Sequence, residues 1–239
     1  SDAETTTKQI LSGTTVFDSR GKVSEKYLPH IVDKSTDYTT PDFTQPKTRY
    51  YYDPIGRTTQ VINPDNTTRR TIYLHRSVTQ YDENGNQKDS EYDAYGRLIE
   101  VTEHNNDETY TTTYTYDALG NLTEVEDNQQ NTTTISYDTL GRKTSMTDPD
   151  MGTWTYSYDA VGNLISQTDA KSQTIEFEYD ELNRLIQKRG LVLVPDPVSV
   201  TYLYDDSGKS NCIGRLSKVI DSTSTTEFFY DTIGREIRT

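Results

Sequence analysis

Carboxylates are the most abundant reactive groups in this sequence: 38 Asp and Glu stand against 24 Lys and Arg, a formal net charge of −14. Two acids flanking a sugar bond would make a glycosidase. That chemistry needs a pair in distinct environments, whereas Asp here recurs at one fixed place in a repeated motif, where a turn-starting role already accounts for it. Asp82-Glu-Asn84-Gly-Asn86 sets oxygen-bearing side chains at alternate places, with Asp93 eleven residues beyond Asp82, in the manner of a calcium loop. Gln87 stands where such a loop needs Gly, and a turn explains the same residues without metal. Rows of Tyr beside Thr, Asn and Asp could stack on sugar rings, but their periodicity reads more simply as cross-strand ladders stabilising a sheet.

His30, His75 and His104 follow no register and read as surface residues, while Cys212, in a turn region near Gly214, has no partner to activate it. One Cys and three His exclude structural zinc and an internal disulfide. Asn66-Thr-Thr68, Asn121-Leu-Thr123 and Asn131-Thr-Thr133 match glycosylation sequons, which a Thr-rich chain supplies by composition. No catalytic residue, cofactor or metal ligand is assigned.

What positions these side chains is a repeat. Tyr-Asp-x-x-Gly-Arg/Asn occurs at Tyr52-Asp53 with Gly56-Arg57, Tyr81-Asp82 with Gly85, and Tyr92-Asp93 with Gly96-Arg97. It recurs at Tyr116-Asp117 with Gly120, Tyr137-Asp138 with Gly141-Arg142, and Tyr158-Asp159 with Gly162. Variants are Phe17 (FDSRGK), Tyr179-Asp180 with Asn183-Arg184, Tyr204 (YDDSGK), and Tyr230-Asp231 with Gly234-Arg235. From Tyr116 to Tyr179 the spacing is 21, 21 and 21, with a second turn signal 11 residues after the Tyr, as at Asp148 to Gly152 and Asp169 to Gln173. Each unit therefore reads as a β-hairpin: two short strands and two turns.

Asp opens a type I turn and Gly supplies the positive-φ residue of a bulged three-residue loop. Asn183 is the non-glycine residue that tolerates this conformation best, and Pro54 suits the second turn position. Tyr114 and Tyr116 share a face, as do Trp154, Tyr156 and Tyr158, and Ile175, Phe177 and Tyr179. Leu98 and Val101 lie three apart, so a bulge after the turn must reset the phase if both face one way. The third turn position is Ile55, Tyr95, Leu119, Leu140, Val161, Leu182 or Ile233 in seven of ten motifs, which predicts that turns pack on neighbouring units.

Composition agrees with strands and argues against a thick core. Leu, Ile, Val and Phe make up 46 of 239 residues, yet there are 19 Tyr and 39 Thr. A single-layer sheet has no thick interior to fill. No segment has a helical period, and no apolar run is long enough to cross a membrane as a helix. The acidic balance disfavours nucleic acid and anionic lipid as partners. Two stretches leave the rhythm: 24–48, rich in Thr, Asp and Pro, reads as a strapping loop, and 190–200, apolar with two prolines, as an edge strand or covering loop. Ser1-Asp2-Ala3-Glu4 reads as an excised start.

The Tyr-Asp-x-x-Gly-Arg/Asn units resemble the YD-repeat, or Rhs-repeat, family. Tyr137-Asp-Thr-Leu-Gly-Arg-Lys143, Asp148-Pro-Asp-Met-Gly-Thr-Trp154 and Tyr158-Asp-Ala-Val-Gly-Asn-Leu164 are similar to the repeat region of bacterial toxin-complex B and C components, as are Leu11 to Asp18 and Gly21 to Val23. The resemblance covers nearly the whole chain, most specifically 50–189. It implies a long β-sheet spiral closing into a hollow shell around a toxic C-terminal domain, and in animal teneurins a shell used for adhesion. Rhs shells end in an Asp-Pro-x-Gly-Leu/Phe signature for self-cleavage. Asp53-Pro-Ile-Gly-Arg57 carries Arg where that needs Leu or Phe, so no autoproteolysis is assigned.

The expected fold is all-β: repeated β-hairpins forming a curved or spiralling single-layer antiparallel sheet. Residues 1–49 are an N-terminal segment with one degenerate repeat and a strapping loop, and 50–239 the repeat array. The expected role is a non-enzymatic wall segment of a secreted bacterial toxin, partnered by the rest of its shell and the enclosed toxin domain. The chain's end at Thr239, nine residues past Tyr230, fits a piece of a longer wall. The alternative is an adhesion or carbohydrate-binding module with glycans as partner. Unpaired sheet edges also invite edge-to-edge self-association.

Overall fold

Alternation along each strand sorts the two faces. In Gly152–Tyr158, Trp154, Tyr156 and Tyr158 are half-buried while Thr153, Thr155 and Ser157 are exposed. In Thr132–Tyr137, Ile135 and Tyr137 are half-buried while Thr134 and Ser136 are exposed. The computed structural model describes residues 7–35, 40–191 and 199–238, and every regular element among them is a strand. Very little is fully buried: among the described residues only Tyr27, Val61, Val101 and Cys212 of the apolar side chains, with Ser90 and Ser217.

Two compact units form. The first holds the described residues up to Tyr114, with Asp127–Gln129. Its antiparallel ladder runs from Thr15–Phe17 through Val23–Tyr27, Lys47–Tyr52, Thr58–Ile62, Thr68–Tyr73, Ser77–Tyr81 and Gln87–Tyr92 to Leu98–Asn105, which pairs with residues 108–113. Lys8–Leu11 and His30–Asp33 make a separate two-stranded ladder.

The second unit holds Thr115–Glu126 and the described residues from Gln130 onward. Its ladder climbs from Leu122–Glu126 through Thr132–Tyr137, Lys143–Asp148, Gly152–Tyr158, Leu164–Thr168, Thr174–Tyr179, Leu185–Leu191, Ser199–Tyr204 and Leu216–Ile220 to Thr225–Glu227. Each strand pairs with its neighbours in sequence. Phe229–Tyr230 pairs with Glu236–Arg238.

The motif turns have the expected chemistry. Gly141 N–H donates to the Asp138 carbonyl at 3.0 Å and Asp138 N–H to the Arg142 carbonyl at 2.9 Å, closing a type I turn with a bulge. Gly141 sits at φ 76°, and Asn183 at φ 59° does the same job. The register shifts after most such turns, as between Leu98 and Glu100, which accounts for the three-residue spacing of Leu98 and Val101; after the Asp82–Asn86 turn it does not, Tyr81 pairing with Gln87 in step with the rest of that ladder.

Four expectations need revision. The apolar turn tips do not pack on neighbouring turns; they project into solvent, from 70% exposed at Leu182 to 85% at Tyr95. The tyrosines do not stack in ladders: the one ring pair found among the described residues is Tyr27 on Phe43, edge-on at 5.5 Å. Motif tyrosines stand two strands apart, about 10 Å, and residues of the intervening strand, such as Leu164 opposite Tyr158, lie between them. Residues 24–48 are not one loop, because Val23–Tyr27 and His30–Asp33 are strands and Lys47 opens another; residues 36–39 lie outside the described residues. Most of the apolar run at 190–200 does too, since Leu191 and Ser199 each belong to a strand and 192–198 are not described.

The fourth revision concerns Tyr204. Gly208, at the standard motif spacing, lacks a left-handed φ, whereas Gly214 has φ 79°. Asp205 N–H donates to the Arg215 carbonyl at 3.1 Å, so the turn closes at Gly214-Arg215 with residues 206–213 looped out where other motifs have two. Lys209 ties this loop down, donating to the Ser217 carbonyl at 3.0 Å and pairing with Glu227 at 3.2 Å. Its ammonium lies 4.6 Å from the centre of the Phe229 ring. Beneath it Cys212 is completely buried.

Candidate functional site

The carboxylates that could have done chemistry are engaged in turns. Asp138 Oδ1 accepts from the N–H groups of Leu140 and Arg142, both at 2.9 Å, and its Oδ2 from Arg142 Nε at 2.6 Å. Asp82, the head of the calcium-like stretch, accepts from Asn84 N, Asn86 N and Asn86 Nδ2 in the same way. All ten motif aspartates hold their carboxyls below the ordinary carboxylate range. At Asp138, Asp180 and Asp231 the leading cause is the backbone N–H of the arginine four residues on. At Asp53, Asp93 and Asp159 partial desolvation pushes upward and the turn hydrogen bonds outweigh it.

One cluster outside the motif has the composition of a catalytic dyad. His104 Nε2 lies 2.8 Å from Asp89 Oδ2, which also accepts from Gln87 Nε2 at 2.7 Å, while Thr79 Oγ1 donates to Asp89 Oδ1 at 2.5 Å. The nearby hydroxyl therefore donates to the carboxylate instead of facing the imidazole, so it is not a nucleophile–base pair. Sequence reading missed this contact because it depends on which strand faces which: Gln87 is opposite His104 and Asp89 opposite Thr102.

What repeats with the motif is a latch between consecutive hairpins. Tyr137 Oη donates to the Leu122 carbonyl at 2.9 Å, Tyr158 Oη to Lys143 at 2.9 Å and Tyr179 Oη to Leu164 at 3.1 Å. Tyr204 Oη donates to Leu185 at 3.0 Å, Tyr230 Oη to Leu216 at 2.8 Å, and in the first unit Tyr52 and Tyr73 to Val23 and Thr58. In each case the accepting residue directly follows a turn, two positions before the ladder to the next strand begins. Lys143 precedes the first rung Ser145–Thr155, and Leu164 precedes Ser166–Glu176. The hydroxyl fills the rung the bulge leaves open.

The motif arginine completes the latch. Arg142 holds its own Asp138, donates from Nη1 to the carbonyl of Asp159 in the next turn at 3.0 Å, and lies 5.0 Å from the Tyr158 ring centre. Arg184 pairs with Asp180 at 2.7 Å and with Asp205 of the following motif at 2.6 Å, over the Tyr204 ring at 4.4 Å. Both carboxylates, Asp205 foremost, raise its already high pKa. Where Asn replaces Arg, Asn163 Nδ2 bridges Asp159 and Asn183, each at 2.9 Å. The hydroxyls of these seven tyrosines and the ring faces of Tyr158 and Tyr204 are thus used between repeats.

Tyr158→Phe keeps the ring under Arg142 and leaves the half-buried Lys143 carbonyl without its donor. We expect a loss of about 1 kcal/mol, read from the shift of the urea midpoint at unchanged slope. An unchanged midpoint would show that water replaces the hydroxyl at no cost.

The Teneurin YD-shell family model matches residues 70–233. Among solved structures, the chain is similar to the TcdB2–TccC3 complex lacking its hypervariable C-terminal region, at 18% identity and TM-score 0.76, over 98% of this chain and 13% of that one. It is similar to the TcdB2-TccC3-TEV crystal structure at 17% identity and TM-score 0.74, over 96% and 14% respectively. The Photorhabdus luminescens Tc holotoxin pore matches at 18% identity and TM-score 0.75, over 96% and 13%. The chain thus spans about a seventh of the chains it matches. No curated protein matches it in sequence.

Proposed function

The chain belongs to the Teneurin YD-shell family, and from that premise we propose that it forms part of the wall of a hollow β-shell and carries out no catalysis of its own. The observation that carries this reading is the latch. In the second unit successive hairpins are tied by Tyr–carbonyl bonds, reinforced where Arg142 and Arg184 reach the next turn's Asp, so a sheet with almost no buried core holds together by nearest-neighbour terms, as solenoids do. In this reading residues 50–239 are the repeat array and 1–49 its leading segment. The rest of the shell and an enclosed toxic C-terminal domain of a secreted bacterial toxin are its partners.

The test belongs in the parent polypeptide. A protease too large to pass the wall is expected to leave the enclosed domain intact. Breaking two latches with Arg142→Ala and Arg184→Ala is expected to open that domain to cleavage. Equal cleavage with and without the substitutions would sink enclosure, and turnover of glycoside substrates by the purified chain would sink the non-catalytic half.

A further inference from the structure

The latch leaves one arginine half used. Arg20, Arg142 and Arg184 each lie over the Tyr of the next hairpin, Tyr52, Tyr158 and Tyr204 respectively, and donate to an oxygen of the turn that follows it. Arg20 reaches the Asp53 carbonyl at 2.9 Å, Arg142 the Asp159 carbonyl at 3.0 Å, and Arg184 the Asp205 carboxylate at 2.6 Å. Arg57 is set in the same way. Its Nε donates to Asp53 Oδ2 at 2.6 Å, and its guanidinium lies 4.1 Å from the centre of the Tyr73 ring. Tyr73 is the next latch tyrosine, 21 residues after Tyr52, with its hydroxyl on the Thr58 carbonyl.

The turn after Tyr73 offers Arg57 nothing to hold. Leu74 stands where Asp follows Tyr52, Tyr158 and Tyr204. Its N–H bonds the Ser77 carbonyl at 2.8 Å, a turn one residue shorter than the motif turns, in which the Asp N–H meets the carbonyl four residues on. Among the described residues, Asp53 is the only hydrogen-bond acceptor of the Arg57 side chain. In place of the missing oxygen is an open cleft of about 480 Å³, lined by Arg57, Leu74, His75 and Arg76. Arg76 is exposed and has no carboxylate within ion-pair distance among the described residues. The one acid that lines the cleft, Asp93, is held by its own Arg97 at 2.7 Å.

We infer that this cleft binds a small oxyanion, carboxylate or phosphate, which takes the place of the missing turn aspartate beside Arg57 and Arg76. A guanidinium presents paired N–H donors in one plane, matched to two oxygens of one anion. Asp53 and the Tyr73 ring hold the Arg57 head in position before anything binds, so little side-chain freedom is lost on binding. Two guanidinium groups without a second acid between them repel a cation and attract an anion, against the −14 charge of the chain as a whole. The repeat itself shows the fit, because at the equivalent place Arg184 takes a carboxylate oxygen, that of Asp205. This inference stands apart from the wall reading and is tested on the chain alone.

The NMR signals of arginine Nε–H groups give a direct readout. The chain is titrated with sodium phosphate and, separately, with sodium acetate, each against sodium chloride at matched ionic strength. The Arg57 signal is expected to shift saturably, while that of Arg142, whose terminal N–H already holds the Asp159 carbonyl, stays still. Response to only one of the two salts assigns the site to that anion. Arg76→Ala should weaken binding on the order of tenfold. Leu74→Asp supplies the carboxylate from the chain itself and should abolish the response to both salts, with the β signal in circular dichroism retained. The titration of the unaltered chain decides the matter if either variant fails to fold. No saturable shift at Arg57, equal shifts at Arg57 and Arg142, unchanged affinity in Arg76→Ala, or a full response from Leu74→Asp overturns the proposal.

Discussion

Gly152→Val should destabilise the second unit by about 3 kcal/mol, the largest effect expected from any single substitution in its turns. Two causes add. Gly152 has φ 70°, a conformation L-residues adopt at a cost and β-branched ones most of all. A Cβ built there would also stand 2.5 Å from Ala170 Cβ in the neighbouring turn of the same edge. Alanine has no flexible end to swing aside, so one turn must move against the other. Gly162→Ala separates the two causes: φ is 104° but nothing lies within 4 Å, so only the backbone term of roughly 1–2 kcal/mol remains. Urea titrations of the three proteins provide the measurement. Equal losses for both variants would show that Ala170 yields freely.

Acid should dismantle the chain over a defined window. The ten motif carboxyls have folded pKa values below the unfolded value of about 4. A depressed pKa contributes stability that is fully present above the unfolded pKa and is lost as pH falls through the folded one. The non-motif turn at Asp221, held near pH 2 chiefly by the Thr223 N–H, marks the low end. Strand dichroism is therefore expected to hold at pH 5 and to disappear between about pH 4 and pH 2, at fixed ionic strength. A midpoint above pH 5 would shift the cause from the turns to another group.

Much of this was legible in the residues. The Asp-to-Gly spacing specified the turn, Asn183 in the Gly position behaved as its tolerance of positive φ requires, and the odd Leu98–Val101 spacing pointed to the bulge. What could not be read depends on geometry between strands. The target of each Tyr hydroxyl is set by where the next ladder starts, two residues later than the turn alone would suggest. Tyr204 was misassigned because Gly208 offered the right spacing in the wrong backbone conformation, while Gly214 lay beyond a loop of unknown path. The tips were expected to pack on neighbouring turns, but the spacing of the motif does not reveal that each turn projects past its neighbours into solvent.

The looped-out Tyr204 motif has a consequence for how such chains can vary. Residues 206–213 enter between Asp205 and Gly214, yet the turn closes, Tyr204 keeps its bond to Leu185, and Ile213 still stands at the tip. Extra sequence entering at this point leaves strand register on both sides untouched, because the closure depends only on Asp205, Gly214 and Arg215. The motif turns are thus ports at which foreign loops, epitopes or protease sites can be grafted. The limit on their length is whether the added segment, like the one anchored by Lys209, finds something on the sheet to hold.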